Sequence, residues 1–215
     1  MPLKNLNNLR QRLKKAAAEK NRARRGVQIA AVVAETLRQI GEDPVLVGGA
    51  AVEFYTEGGY ATQDIDMVAV GGAPLWGVMQ QLGFMQQGKD FIRNDLKIYI
   101  EFPSETLNEG EQSDLLDVGG IPLKIISLED LVVDRLCAYK FWKSSADGVA
   151  ALLLLEIGKA DGIRLKTQAK RREVEDALGA VTRIYEEIFR KKLSRATANE
   201  KLKAWIEKPY PPKNS

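Results

Sequence analysis

The sequence of 215 residues contains no histidine and a single cysteine. The absence of histidine excludes Ser-His-Asp and Cys-His catalysis, and also zinc sites built on histidine ligands. One cysteine excludes an internal disulfide, and the apolar helical surroundings of Cys137 predict a buried, inert thiol. Any chemistry in this chain must therefore use carboxylates, lysines, hydroxyls and a hard metal ion.

Long apolar runs are also missing. The longest, residues 149–155, is far shorter than the roughly 20 residues that a membrane-spanning helix needs. Residues 1–5 lack the apolar stretch of a secretory signal. We therefore expect a cytoplasmic protein with no membrane partner.

The net charge of +3 conceals an uneven distribution of charge. Residues 1–25 hold nine Lys and Arg residues against one acid, so this basic head carries +8 and the remainder −5. A basic head predicts a polyanionic partner, with nucleic acid the first candidate. The alternative is a solvent-exposed amphipathic helix, whose apolar stripe is Leu3, Leu6, Leu9 and Leu13.

Hydrophobic periodicity predicts helices at both ends of the chain and short strands between them. The predicted strands are 44–47, 65–70, a hairpin of 90–93 with 96–102, and a pair within 111–126. The predicted helices are 3–23, 25–40, 50–57, 75–82, 128–142, 146–159, 164–190 and 195–207. These elements predict an α+β protein with a basic helical extension (1–40), a mixed-sheet core (41–126), a helical region (127–208) and a tail (209–215).

Two carboxylates stand at the start of a predicted strand. Asp64 and Asp66 are two residues apart, so their side chains project from the same face of the strand. Two close carboxylates repel each other unless a cation lies between them, and Mg²⁺ prefers such oxygen ligands. The alternative for an isolated Asp-x-Asp is a solvated turn.

The segment before these acids favours a phosphate ligand. A buried strand runs directly into Gly48-Gly49 and then into a helix, whose exposed N–H groups favour an anion. The alternative is a tight strand–helix turn without a ligand. The hydroxyl of Thr62 either lies near the phosphate or bonds to its own loop.

A third carboxylate follows on a later strand. Tyr99 and Glu101 share one face of that strand, and Glu101 joins the site if the strand lies beside the one that carries Asp64 and Asp66. Three acids can hold two Mg²⁺ ions. The alternative is an exposed glutamate on an edge strand.

The spacing of Gly48-Gly49, fourteen intervening residues and Asp64-Ile65-Asp66 resembles the hallmark of the DNA polymerase β-like nucleotidyltransferase superfamily. Residues 47–55, 62–66, 100–103 and 127–136 look closer still to a group of small nucleotidyltransferase-like proteins from bacteria and archaea. That group is distantly related to the AbiEii-type toxins of toxin–antitoxin systems. The resemblance implies a nucleotidyltransferase fold around the mixed sheet.

The resemblance also implies roles for individual residues. Gly48 and Gly49 would cradle a triphosphate, Asp64 and Asp66 would bind the metal, and Glu101 would be the third acid, which activates an acceptor hydroxyl. Basic residues of flanking helices reach the triphosphate in related enzymes, which implies this role for Lys140; the alternative is a solvated lysine. The chain departs from the pattern at Ala50, where active members often carry Ser or Thr.

These observations predict a nucleotidyltransferase that depends on Mg²⁺, or on Mn²⁺ in its place. The enzyme would transfer a nucleoside monophosphate from an NTP to a hydroxyl of RNA, protein or a small molecule. A second interpretation is a catalytically degenerate member of the same fold. It would act as a toxin–antitoxin component or as a module that binds nucleic acid or a partner protein. A third is an unrelated α/β domain in which the motifs occur by chance.

Overall fold

A computed structural model describes residues 2–191 and 194–208 of the chain, without the side chains of residues 189–191. The predicted tail lies outside the described residues. The chain divides after Ser127 into a first unit, residues 1–127, and a second unit, residues 128–215. The predicted extension and the predicted sheet core thus fall in one unit, and the predicted helical region forms the other.

The first unit contains four helices and a seven-stranded mixed sheet among its described residues. The helices are α1 (Leu6–Ala17), α2 (Arg22–Arg38), α3 (Gly48–Tyr55) and α4 (Ala73–Gln81). The strands are β1 (Val45–Val47), β2 (Asp64–Val68), β3 (Met85–Gln87), β4 (Asp90–Arg93), β5 (Ile98–Glu101), β6 (Ser113–Asp117) and β7 (Pro122–Ile126). The α+β prediction is therefore confirmed.

The sheet has the strand order β3-β4-β5-β2-β1-β7-β6. Strand β2 pairs with β5 in parallel and with β1 in antiparallel orientation, and β1 pairs with β7 in parallel. The predicted hairpins β4–β5 and β6–β7 are present. The edge strand β3 was not predicted, because its residues Met85, Gln86 and Gln87 are all exposed and lack the alternation that marks a half-buried strand.

The basic head forms α1 and the start of α2. Helix α1 buries Leu9 and Leu13 of the predicted apolar stripe, whereas Leu3 and Leu6 are half-buried. The prediction of a continuous helix over 3–23 was wrong between residues 18 and 21. The side chain of Asn21 accepts a hydrogen bond from the Arg24 N–H at 3.0 Å and so caps the start of α2.

The second unit is helical throughout its regular structure, as the sequence predicts. Its helices are α5 (Leu128–Phe141), α6 (Ser145–Glu156), α7 (Gly162–Arg171), α8 (Glu175–Lys191) and α9 (Arg195–Ile206). The prediction of one helix over 164–190 was wrong. Glu173 has a left-handed backbone conformation, with φ 56°, which ends the turn after α7 and places Val174 in the core.

Tyr139, at the core of the second unit, has partners for both its hydroxyl and its ring. The hydroxyl of Tyr139 donates to the Leu202 carbonyl at 2.7 Å, and its ring stacks on Trp205. Cys137 is half-buried rather than buried as predicted. No helix among the described residues of the chain combines the length and the apolar content needed to cross a membrane.

Candidate active site

Strand β2 presents two carboxylates on one face of the sheet. Ile65 and Met67 point to the opposite face, where both are buried in the core. Asp64 is exposed and Asp66 is half-buried, so both carboxylates lie on the open face, as the two-residue spacing predicts.

The pairing of β2 with β5 brings a third acid to the same face. In this parallel register Asp66 lies opposite Glu101, and Asp64 lies opposite Tyr99. Directly paired residues project to the same side of a sheet. The condition on which the sequence-based assignment of Glu101 depended is therefore met.

A fourth acid, which was not predicted, joins this face through the next strand pair. Strand β4 pairs with β5 so that Asp90 lies opposite Glu101. One carboxylate oxygen of Asp90, Oδ1, is buried without a hydrogen-bond partner among the described residues. Burial, and then the neighbouring Glu101 carboxylate, raise the pKa of Asp90. The predicted hairpin already implied this position, because residues that face each other across a hairpin share one face.

Lys89 supplies a cation to this four-acid face, which comprises Asp64, Asp66, Asp90 and Glu101. The Lys89 ammonium lies 2.7 Å from Oε2 of Glu101. This hydrogen bond holds the pKa of Glu101 below its usual value and raises the pKa of Lys89. The negative charges of Asp66 and Asp90 also raise the pKa of Lys89. The side chain of Lys89 thus neutralises part of the negative charge of the four-acid face.

The two glycines make room for the site from the end of β1. Gly48 begins α3 with φ 65°, and a Cβ at this position would overlap the Asp66 carboxylate. A Cβ at Gly49 would lie 2.7 Å from the Thr62 hydroxyl. Only residues without a side chain let Asp66 and Thr62 approach the first turn of α3 this closely.

Thr62 packs on Gly49 just before β2. Its hydroxyl lies 3.5 Å from the main-chain oxygen of Asp64, which is a contact within its own loop. Ala50, the next residue of α3, is buried. The geometry therefore explains why glycines and small side chains occupy this turn, and the predicted phosphate contacts stay a prediction.

Lys140 belongs to the second unit. Its ammonium donates to the Glu173 carbonyl at 2.6 Å and to the Asp176 carboxylate at 2.8 Å. Its side chain is only 11% exposed, so it is not the solvated lysine of the alternative interpretation. Its predicted role at a nucleotide stays a prediction.

The donor chemistry of β2 suits a hard divalent cation. Mg²⁺ is commonly bound by one or two carboxylates and completes its shell with water and phosphate oxygens. Asp64 and Asp66 fit such a site from one strand. Across residues 2–191 and 194–208, no three Asp, Glu or Cys side chains are arranged to hold an ion together. Glu101 instead binds Lys89, and its role as a third metal ligand stays a prediction.

The fold is similar to that of a protein of known crystal structure. That protein is an antigenic nucleotidyltransferase-like protein from Paracoccidioides brasiliensis, with a TM-score of 0.53 and 14% sequence identity. The similarity covers 84% of this chain and 93% of that protein. The chain matches no model of a known protein family, and no curated protein matches it in sequence. The structural similarity shows that the chain has a nucleotidyltransferase-like fold.

Proposed function

We propose that the protein is a Mg²⁺-dependent nucleotidyltransferase, which transfers a nucleoside monophosphate from an NTP to a hydroxyl of RNA, protein or a small molecule. The observation that carries this proposal is the register of β2 and β5, which aligns Asp64, Asp66 and Glu101 on one open face. The nucleotidyltransferase-like fold supports the same reaction class by analogy.

In this reaction the acceptor oxygen forms a bond to the α-phosphorus while the bond to the pyrophosphate oxygen breaks. Asp64 and Asp66 hold the cation, and the main chain at Gly48 and Gly49 faces the phosphates at the start of α3. When bound, Mg²⁺ neutralises the triphosphate and lowers the pKa of the attacking hydroxyl. Glu101 receives the hydroxyl proton, and pyrophosphate leaves.

Thermal unfolding with each NTP tests this proposal. Ligands that bind only the folded state stabilise it, by about 2.7 kcal/mol at a hundredfold excess over Kd. We expect at least one NTP to raise the Tm in the presence of Mg²⁺ or Mn²⁺ but not in EDTA. Asp64→Asn and Asp66→Asn should each abolish the shift.

Asp114→Asn is the matched control, because it makes the same chemical change on β6, three strands away from β2 in the sheet. This variant should keep the full shift. Transfer of radiolabelled NMP to RNA or protein then reports turnover. The enzyme proposal fails if no NTP shifts the wild-type Tm and no label is transferred.

A second candidate is a catalytically degenerate member of this fold, which acts as a toxin–antitoxin component or as a binding module. Two observations favour it. Glu101 already has a cationic partner in Lys89, and Ala50 offers no hydroxyl for a phosphate. An NTP-dependent shift without any transfer of label would support this candidate over the enzyme.

A further inference from the structure

A cavity of about 510 Å³ lies beside the candidate active site, within the first unit. Its volume is in the range of sites for small organic ligands, about 300–1,000 Å³. Asp64 forms part of its wall, so whatever occupies the cavity lies next to the four-acid face. The charged residues that line it are Arg22, Arg25, Glu53, Asp64 and Lys97, and the hydroxyl-bearing ones are Thr62 and Tyr99.

The cations of the cavity outnumber its carboxylates. Arg22, Arg25 and Lys97 face only Glu53 and Asp64. Arg22 pairs with the buried Glu53 at 3.2 Å. One positive charge therefore remains without a counterion in the wall of the cavity.

Arg25 is fixed in place by neutral groups. Its guanidinium donates to three main-chain oxygens, those of Ala17 at 3.1 Å, Leu96 at 3.0 Å and Lys97 at 2.9 Å. Carbonyl oxygens orient a guanidinium but do not cancel its charge. Burial, and then the nearby charge of Arg22, lower the pKa of Arg25. Two guanidiniums close enough to repel each other are stabilised when an anion binds between them.

Arg22 and Glu53 also hold the segment that leads into β2. Arg22 donates to the Thr62 carbonyl at 2.7 Å, and the Thr62 main chain bonds to Glu53. These contacts join the wall of the cavity to the segment before β2, and so constrain the position of Arg22 relative to Asp64.

The chemistry of this cavity fits a phosphate group. Guanidinium groups that are partly desolvated and held in place bind phosphate oxygens strongly and with defined geometry. The chain just before the cavity is also basic, since Lys20 is exposed two residues before Arg22, which begins α2. An exposed lysine next to a cavity with one excess positive charge matches a chain of phosphates.

We propose that this cavity binds the terminal nucleotide of a single-stranded nucleic acid, with its phosphate at Arg22 and Arg25 and its hydroxyl toward Asp64. This inference rests on the proposed function, of which it specifies the acceptor. The same nucleotide phosphate could come from a free mononucleotide, and the experiment separates the two sources.

Binding is measured on the full chain in EDTA, so that the result does not depend on a metal or on NTP. The probes are AMP, by calorimetry, and a fluorescein-labelled RNA of five nucleotides, by anisotropy. We expect RNA to bind more tightly than AMP and with a steeper salt dependence. Equal affinities for RNA and AMP would overturn the proposal that a strand end is the ligand, and would leave a mononucleotide in its place.

The variants are Arg22→Gln and Lys97→Asn, with Arg24→Gln as the matched control. Arg24 lies on the same helix and is exposed, but it does not line the cavity. Lys97 has φ 52°, a conformation that asparagine tolerates well, so this variant keeps the test valid if Arg22→Gln does not fold. We expect each cavity variant to weaken the binding of both probes roughly tenfold. Arg24→Gln should leave AMP binding unchanged.

Two other outcomes would overturn the proposal. If the cavity variants bind both probes as well as the wild type does, the arginines only hold the fold together. If the cavity variants lose the Tm shift with Mg²⁺ and NTP but keep AMP binding, the cavity takes the donor nucleotide. Failure of the proposed function itself is distinct, because Asp64→Asn would then change no NTP-dependent shift while AMP still binds in EDTA.

Discussion

At the residue scale, Lys89 is the side chain that most changes the meaning of the acidic motif. Its ammonium forms an ion pair with Glu101, the residue that the resemblance assigns as the third acid. Carboxylates that face one another on neighbouring strands repel, and a lysine in the β3–β4 turn relieves this repulsion without a bound ion. A divalent cation at Asp64 and Asp66 would therefore compete with the positive charge of Lys89.

Removal of that charge should strengthen metal binding. We expect Lys89→Gln to bind Mn²⁺ several-fold more tightly than the wild type, because the ion no longer meets a nearby positive charge. Calorimetric titration with Mn²⁺ measures the effect. Lys124→Gln is the control, since Lys124 forms a comparable ion pair with Asp43 at 2.8 Å. If Lys89→Gln bound Mn²⁺ no more tightly than Lys124→Gln does, the competition would be contradicted.

Gly48 gives a second prediction at this scale. Gly48→Ala should lower the free energy of unfolding by about 1–2 kcal/mol for its left-handed backbone, and further because the new Cβ displaces Asp66. Gly119→Ala is a close control, as Gly119 has φ 61° and a Cβ there meets nothing within 4 Å. Urea unfolding of both variants separates backbone strain from overlap. Equal losses of unfolding free energy would show that displacement of Asp66 by the new Cβ does not destabilise the fold.

At the scale of elements, the sequence predicted most helices and strands but not all of their ends. The periodicity of apolar residues continues across 18–21 and across 172–174, so it did not show the breaks there. Asn21 and Glu173 cause these breaks by a side-chain cap and by a left-handed backbone. Such local polar and conformational effects compete with periodicity, and their outcome depends on what the flanking helices bury.

The cap of α2 can be tested directly. Asn21→Ala should destabilise the protein by about 1 kcal/mol, because the Arg24 N–H loses its acceptor. Asn8→Ala, at an exposed position inside α1, should be neutral or slightly stabilising because alanine favours the helix interior. Chemical denaturation followed by circular dichroism compares the two. A loss in Asn8→Ala as large as that in Asn21→Ala would rule out the cap as the cause.

At the scale of the whole molecule, charge is distributed unevenly along the chain. The α+β class of the fold was predicted from the sequence. Much of the basic head is exposed, although its apolar stripe packs into the first unit. The two interpretations of the head, polyanion binding and an amphipathic helix, are thus compatible. Packing uses one side of α1 and leaves Arg10, Lys14 and Lys15 exposed, whereas Arg12 is half-buried and pairs with Glu35.

This distribution predicts a salt dependence that belongs to the head. Replacement of Lys4, Lys20 and Arg24 by glutamine should weaken RNA binding and flatten the plot of log K against log salt. The slope should fall by about 0.7 for each phosphate of a single strand that the protein no longer neutralises. A triple control replaces the exposed Lys159, Lys166 and Lys170 of the second unit. Identical slopes for wild type and both triple variants would assign the head a purely structural role.

Local sequence was enough to predict the α+β class, the open-face position of Asp64 and Asp66, and the turn at Gly48-Gly49. Each follows from a period of two along a strand or from a local backbone requirement, which neighbouring residues specify. The packed fold was needed to establish that Glu101 and Asp90 join this face, that Lys89 binds Glu101, and that Arg22 and Arg25 line a cavity beside Asp64. Those contacts join residues from separate elements, and their register depends on how the sheet and helices pack as a whole.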